Sequence, residues 1–358
     1  MFDHPAFDAH ERVTFFSDAA TGLRGIVAVH STKLGPGMGG CRAWRYADTA
    51  AALTDALRLS RGMSYKNAVA GLPLGGAKAV ILKEGAAPLS EAQLEAFGAV
   101  VQGLGGAYVT AEDVGISERD MLAVARRTTF VSGITQPHAA GFGGDPSPKT
   151  ALGVFLGMRS AVRARLGRTD LAGLKVAVQG LGNVGLHLCD HLHRAGAKLV
   201  VADLNAAAVE MACTRFGATA VSVGEILFQD VDVLAPCALG AIFDETSIRR
   251  IRAHVIAGAA NNQLRTDTDG RRLHDVGILY APDYVINAGG IIAAGLQYLK
   301  ETDAAHVNAR IAGIERTLDD LFARSIATNT PTNVIADAMA RERLAAGPRP
   351  DGGMRIAA

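Results

Sequence analysis

KVAVQGLGNVG, from Lys175 to Gly185, runs an apolar strand into Gly180, Gly182 and Gly185, and LVVAD then closes the next strand on Asp203. A strand, three glycines at this spacing, a helix opening with Val184, Leu188 and Leu192 on one side, and an acid about 20 residues on are the parts of a dinucleotide-binding βαβ unit. A lone G-x-G-x-x-G is a weak signal in a chain with 41 glycines among 358 residues. The strand, helix and acid in their expected places turn it into a prediction. Gly180 permits the tight turn, Gly182 lets the backbone approach the pyrophosphate, and Gly185 lets helix and strand pack, so that the helix N-terminus receives the phosphates. Asp203 can accept both ribose hydroxyls and would repel a 2′-phosphate, and neither Leu204 nor Asn205 after it could receive that phosphate. The expected cofactor is NAD rather than NADP.

About 170 residues precede this unit, and a nucleotide domain alone does no chemistry on a substrate. The reaction is therefore sought upstream. At 358 residues two domains are expected, since single cores stop growing at about 250 to 300 residues. Lys plus Arg number 36 against 35 acidic residues and are interspersed, which calls for neither nucleic acid nor an anionic membrane as a partner. Cys41, Cys189, Cys213 and Cys237 form no C-x-x-C pair and read as reduced thiols of a cytosolic protein, with no metal called for. MFDHPAFDAHERV is acidic and polar where a signal peptide would be basic and then apolar, and no apolar run reaches the roughly 18 residues of a membrane span. A soluble, cytoplasmic protein is expected.

The first 140 residues alternate strand-like and helix-like patterns. TGLRGIVAVHST reads as a strand; a helix from about Thr49 carries Leu53, Leu57, Ser60 and Ser64 on one face; Ala79 to Leu82 reads as a strand. Ser90 and Gln93 form a capping box for a helix bearing Leu94, Phe97, Val101 and Leu104. HAAGFGGDPSPKT, His138 to Thr150, has the Gly and Pro density of a loop, with a new helix from about Ser147. The α/β chain is thus divided into a mixed catalytic domain (1–147), a doubly wound Rossmann domain (148–327) across a cleft, and a C-terminal segment (328–358) packing back toward the first. βα alternation continues through DVDVLAPCA, AHVIAGAANNQL and GILYAPDYVINAGG. A long packing helix then carries Val307, Ile311, Ile314, Leu318 and Leu321, and the tail from Leu344 is expected to be poorly ordered.

Lys66 in GMSYKNAVAGLPLGGAK, and Lys78 at its end, sit among small and aliphatic neighbours, with Arg61 the last charge before them. Most lysines are solvated surface residues. A desolvated ammonium beside a second cation is driven toward its neutral form. From about 10.4 in water, a pKa fall of about 2 to 3, or about 3 to 4 kcal/mol of environment, brings a lysine into the range of a general base. The second cation can hold a substrate carboxylate. In YVTAEDVGIS, Glu112 reads as a solvated cap and Asp113 as the candidate for proton transfer, a carboxylate kept ionised by the lysines.

GPGMGGCRAW, GMSYKNAVAGLPLGGAK, TAEDVG, QGLGNVG, APCALG, AGAANNQL and APDYVINAGG, in this order from about residue 12 to 343, resemble the amino-acid dehydrogenases of the glutamate, leucine, phenylalanine and valine group, nearest the leucine and phenylalanine branch. One departure is GGAK where the family often has GGGK, which places the Ala77 methyl beside the base. The resemblance implies that Lys78 activates water, Lys66 binds the substrate carboxylate, and Asp113 moves protons to and from the amino group. Gly39, Gly40 and Asn262 would help hold substrate and Thr150 the nicotinamide carboxamide. Leu181, Asn183, Val184, Leu204, Cys237, Ala238 and again Asn262 would join Gly180, Gly182, Gly185 and Asp203 around the dinucleotide. The implied reaction is reversible oxidative deamination of an L-amino acid by NAD, with the amino acid, 2-oxo acid and ammonia as small-molecule partners and a homo-oligomer as the assembly. Aligned by motif, Met38 and Ala294 stand where glutamate-specific members carry a lysine and a serine, so glutamate would bury an unpaired charge. With Met63, Ala111 and Ile291 they would line an apolar pocket for a branched aliphatic side chain, an aromatic one being the alternative. A catalytically silent NAD-binding regulator would have no use for Lys66, Lys78 and Asp113 together. A 2-hydroxy-acid dehydrogenase would need a histidine acid/base, for which only His138 lies near the proposed site.

Overall fold

A computed structural model describes residues 1–134, 144–238, 240–301 and 303–348. His138, and the tail beyond residue 348, lie outside the described residues. The chain forms two compact units: one takes Met1–Asp145, Ala293–Ala304 and the chain from Ala340 on, the other Pro146–Ile292 and Ala305–Met339. No described helix is long and apolar enough to cross a membrane.

In the first unit the order is β1 (Arg12–Asp18), β2 (Leu23–Ser31), β3 (Gly37–Met38), β4 (Cys41–Trp44), α1 (Thr49–Val69), β5 (Gly75–Leu82), α2 (Glu91–Gly103), β6 (Tyr108–Val109) and α3 (Glu118–Ala125). The sheet runs β1-β2-β5-β3-β6, with β4 also on β5. β1 and β5 are antiparallel to β2, while β3 and β4 run parallel to β5, and β6 parallel to β3. Asp48 caps α1 through the Ala51 N–H, and Ser90 with Gln93 closes the capping box of α2. α1 buries Ala52, Ala56 and Leu57 against Ile26, Ala28 and Val80. α2 buries Leu94, Phe97 and Val101 in a cluster with Val27, Ala79 and Ile81.

β5 begins at Gly75, four residues before the strand start read from the sequence. Glycines argue against a strand interior unless another backbone comes close. Here it does: a methyl on Gly76 would stand 2.0 Å from the Ser64 amide nitrogen of α1. The close approach of α1 explains the glycine pair and draws Lys78 into mid-strand.

The second unit contains α4 (Ser147–Leu166), β7 (Lys175–Gln179), α5 (Asn183–Arg194), β8 (Lys198–Ala202), α6 (Ala206–Phe216), β9 (Thr219–Ala220), β10 (Val233–Pro236), α7 (Glu245–Ile248), β11 (Val255–Ile256), α8 (Asp267–Asp275), β12 (Leu279–Tyr280) and α9 (Asp283–Ile286). α10 (Gly289–Tyr298), α11 (Ala304–Thr328) and α12 (Thr332–Ala346) follow. The sheet order is β12-β11-β10-β7-β8-β9, parallel throughout. This is the doubly wound nucleotide-binding order, with its switch point between β7 and β10. Val176, Ala177 and Val178 of central β7 are fully buried, as a strand covered on both faces requires. α11 buries Val307, Ile311, Ile314, Leu318 and Leu321, and Arg163 of α4 reaches its Glu315 and Asp319.

The compact units differ from the division at 147/148 and 327/328 in two places. Ala293–Ala304 belong to the first unit, where Ser132 Oγ donates to the Ala294 carbonyl at 2.8 Å and Gln297 Nε2 to the Ile134 carbonyl at 2.7 Å. Residues 305–339 belong to the second. An unbroken apolar helix carries no local mark of where it changes the body it packs on. The tail reading is corrected as well: Leu344 lies inside α12 and is buried, where Arg341 Nε donates to Tyr65 Oη at 2.9 Å and Arg343 to the Ala68 and Val69 carbonyls.

Candidate active site

Lys78 lies mid-β5 opposite Ala28 of β2, with its side chain only 7% exposed. Its Nζ stands 2.5 Å from Asp113 Oδ2, in the turn after β6. That turn is laid along β3 and β4: the Gly39 and Cys41 N–H groups donate to the Val109 and Ala111 carbonyls, and Ala43 N–H to Val114. The contact made with Lys78 is thus with the carboxylate that the sequence places close to the lysines. Lysine and acid sit 35 residues apart, and strand pairing alone joins them.

Burial on its own would raise the Asp113 carboxyl, but Lys78 and then Arg42 outweigh it and hold it below the ordinary carboxylate range. Glu112 behaves oppositely. Partly buried and facing Glu118, Asp145 and Asp113, its carboxyl is pushed up, which a fully solvated cap would not be. Burial also pushes the Cys41 thiol up, leaving it un-ionised beside the pair.

Gly39 packs on the residue before Lys78, and Gly40 on the turn that carries Asp113. A methyl on Gly39 would stand 1.9 Å from the Ala77 carbonyl oxygen and 3.0 Å from Met63 Cγ; one on Gly40 would stand 2.5 Å from the Glu112 carbonyl oxygen and 2.8 Å from Asp113 Cβ. Met38 is fully buried, and its carbonyl and that of Gly75 accept from Asn67 Nδ2 at 3.4 and 2.6 Å. Lys66 lies one residue before Asn67 on α1, half-buried. Met63, Ala111 and Ala294 are half-buried in the same unit, whereas Ile291 and Asn262 belong to the other.

In the second unit Gly180 turns at φ +94° at the end of β7, and a methyl there would stand 2.7 Å from Ala238 Cβ. Cys237 N–H donates to the Gln179 carbonyl at 2.7 Å, so Cys237 and Ala238 close the switch point against the glycine loop. A methyl on Gly185 would stand 2.0 Å from the Gly180 carbonyl oxygen. Gly182 by contrast faces open space, and the N-terminus of α5 at Asn183 and Val184 has no side-chain cap. Asp203 accepts from the Leu181 N–H at 2.5 Å and the Asn205 N–H at 2.7 Å, which fixes its carboxylate beside the loop. Leu204 next to it is 91% exposed. Gln179 Oε1 is buried there without a hydrogen-bond partner among the described residues. An open glycine, uncapped amides and a held acid fit a dinucleotide. Thr150, in the first turn of α4, donates to the Pro146 carbonyl at 3.1 Å and lies against Gly290. Asn262 is exposed with φ +52°, and its carbonyl accepts from Ala241 N–H.

The sequence reading missed Arg42, Asp55 and Tyr46. Arg42 Nε donates to Asp113 Oδ2 at 3.3 Å and its Nη1 to Asp55 Oδ2 at 3.1 Å, where Tyr46 Oη also donates at 2.6 Å. The signal available was one cation inside CRAW, a short strand that otherwise alternates cleanly.

The profile of the Glu/Leu/Phe/Val dehydrogenase dimerisation domain matches residues 10–130, and that of the Glutamate/Leucine/Phenylalanine/Valine dehydrogenase domain matches residues 144–212 and 201–345. Leucine dehydrogenase of Bacillus cereus is 47% identical over 336 residues, covering 94% of this chain and 91% of that protein. The crystal structure of L-tryptophan dehydrogenase from Nostoc punctiforme superposes with a TM-score of 0.84 at 41% identity, over 94% of this chain and 96% of that one. The hetero-hexameric glutamate dehydrogenase from Thermus thermophilus, in its Leu-bound form, gives a TM-score of 0.75 at 26% identity, over 95% and 91%.

Proposed function

The chain belongs to the glutamate, leucine, phenylalanine and valine dehydrogenase family, and from that premise we propose that it is an NAD-dependent dehydrogenase of branched aliphatic L-amino acids, releasing the 2-oxo acid and ammonia. The observation that carries the chemistry is the buried Lys78–Asp113 pair at 2.5 Å, beside the backbone of Gly39 and Gly40. When bound, the nicotinamide supplies a hydride acceptor for the α-hydrogen of the amino acid. Lys66 binds the α-carboxylate, and the N–H groups and carbonyls around Gly39 and Gly40 orient the substrate. Asp113 takes a proton from the substrate ammonium, so that the amine lone pair can assist loss of the α-hydrogen. Lys78, its own ammonium proton released to solvent, accepts one from water as that water adds to the imine carbon. Asp113 then returns its proton to the departing nitrogen and takes the hydroxyl proton of the adduct as the carbonyl forms.

Support for NAD over NADP comes from Asp203, whose carboxylate repels a 2′-phosphate, and from Leu204, which offers that phosphate nothing. Thr150 and Asn262 are proposed to meet the nicotinamide and ribose side. Support for an aliphatic substrate comes from Met38, an apolar and fully buried residue at the position of the distal-carboxylate lysine, and from the 47% identity to a leucine dehydrogenase. Met63, Ala111 and Ala294, all of the first unit, complete the proposed pocket. Small Ala294 and pliable Met38, with the likeness to a tryptophan dehydrogenase, favour an aromatic substrate as second reading. A homo-oligomer is proposed from the dimerisation-domain match and the hetero-hexameric relative. Comparing kcat/KM for leucine, valine, phenylalanine, tryptophan and glutamate tests the pocket. Leucine or valine is expected to lead; a ring preferred over leucine moves the assignment to the aromatic reading, and glutamate as best substrate overturns the pocket.

A further inference from the structure

Asp113 has two cations on one oxygen, and only Lys78 belongs to the proposed chemistry. Arg42 is the other. It stands in β4, between Cys41 and Ala43, both buried, and its own side chain is 23% exposed. A groove of about 650 Å³ lined by Trp44, Tyr46, Asp55 and Val114 opens beside it. An arginine with water at its flank ordinarily turns its head outward, because its stem alone can cover apolar surface. Arg42 instead points one edge, Nε, at Asp113 and another, Nη1, at Asp55. Asp55 comes from α1, 13 residues away, and its Oδ2 is pinned by the Tyr46 hydroxyl at 2.6 Å. The result is a strut from the surface side of α1 through β4 to the reacting carboxylate.

We propose that Arg42 is a positioning residue for Asp113, held by Asp55 and Tyr46, that fixes the direction from which Asp113 meets the substrate amino group; the inference rests on the dehydrogenase reading above. Geometry alone argues for an arginine. The planar fork serves two carboxylates at once in fixed directions, which a single ammonium at the end of a flexible stem does not. Lys78 cannot do this work by itself, because its proton must move during turnover and its hold on Asp113 changes as it does. Arg42 keeps its charge throughout. The strut therefore keeps Asp113 in place at the stage when the lysine lets go.

The test measures kcat and the amino-acid KM separately for Arg42→Ala, Arg42→Lys, Asp55→Asn and Asp113→Asn, with leucine and NAD and with thermal unfolding of each variant. Arg42→Ala is expected to lower kcat by up to about 100-fold, the scale of a misplacement near 1 Å, with KM within about threefold. Millimolar guanidinium is expected to restore part of the loss, and equal sodium is not. Parent-like kcat in Arg42→Ala, or a loss carried by KM and untouched by guanidinium, overturns the proposal. If Arg42→Ala does not fold, Arg42→Lys and Asp55→Asn decide: kcat lower by about tenfold at constant KM supports the strut, and parent-like kcat in both removes it. Asp113→Asn separates the two levels, since full turnover in that variant sinks the proton-transfer reading whatever Arg42 does.

Discussion

An alanine at Gly40 would bring its methyl to 2.5 Å from the Glu112 carbonyl oxygen and 2.8 Å from Asp113 Cβ. Ordinary contact begins at 3.4 Å, so the turn must retreat by about 0.9 Å at its carbonyl and about 0.6 Å at the aspartate. It has little room to retreat as a body. Ala43 N–H and Cys41 N–H hold it by the Val114 and Ala111 carbonyls, and Gly115 already packs so closely that a methyl there would stand 2.2 Å from the Ala43 carbonyl oxygen. The displacement goes into Asp113 and opens its 2.5 Å contact with Lys78. A shift near 1 Å costs up to about 100-fold in rate, or about 2.7 kcal/mol of barrier. The assay is kcat from NADH absorbance at saturating leucine, with NAD affinity titrated separately, because the glycine loop belongs to the other unit. We expect kcat lower by about 30- to 100-fold and NAD affinity within about twofold. A kcat within about threefold of the parent, at unchanged unfolding temperature, would refute the idea that the position of Asp113 is held to this precision.

Lys78→Ala should leave NADH binding nearly intact and lower turnover by about 10² to 10⁴-fold, while Lys66→Ala chiefly raises the amino-acid KM; steady-state kinetics with a binding titration tells them apart. Asp203→Ala should weaken NAD and relax the exclusion of NADP, read as the ratio of kcat/KM for the two cofactors; a parent that already prefers NADP removes the argument. His30, held down to about 4 by burial, then by His10 and Arg61 against Asp8, and His10, held down chiefly by burial, are neutral in the fold. Their folded values lie below the unfolded one, so the unfolded chain takes protons that the fold refuses. The stability they allow is complete above about 6.5 and is lost as pH falls from there toward about 4. Unfolding temperature between these limits should drop with acidity, and less so in His30→Gln.

The glycine loop, the acid after β8 and the capping box of α2 were legible because each is set by residues within about 25 positions of one another. Lys78 and Asp113 could be named, and their closeness expected, from their surroundings, but the strand pairing that brings them together could not be read. Arg42 was passed over because its partners, Asp113 at 71 residues and Asp55 at 13, reach it through strand pairing and a helix edge. The start of β5 was missed for a similar reason: Gly75 and Gly76 look like a turn until α1 is laid across them. What stayed hidden were tertiary contacts with no periodic trace.

The first unit takes its chain in three instalments, Met1–Asp145, Ala293–Ala304 and from Ala340 on, and the last supplies Arg341 to the Tyr65 hydroxyl and Arg343 to the end of α1. A ribosome adding about 5 to 20 residues per second needs about 10 to 40 s to travel from Asp145 to Ala340. For that interval the helix bearing Lys66 waits without its final clasp, while the parallel sheet of the second unit is already emerging. The nascent first unit thus depends on the last part of synthesis, and a ribosome stalled near residue 330 would leave both units short of their closing segments for the cell's chaperones to shelter.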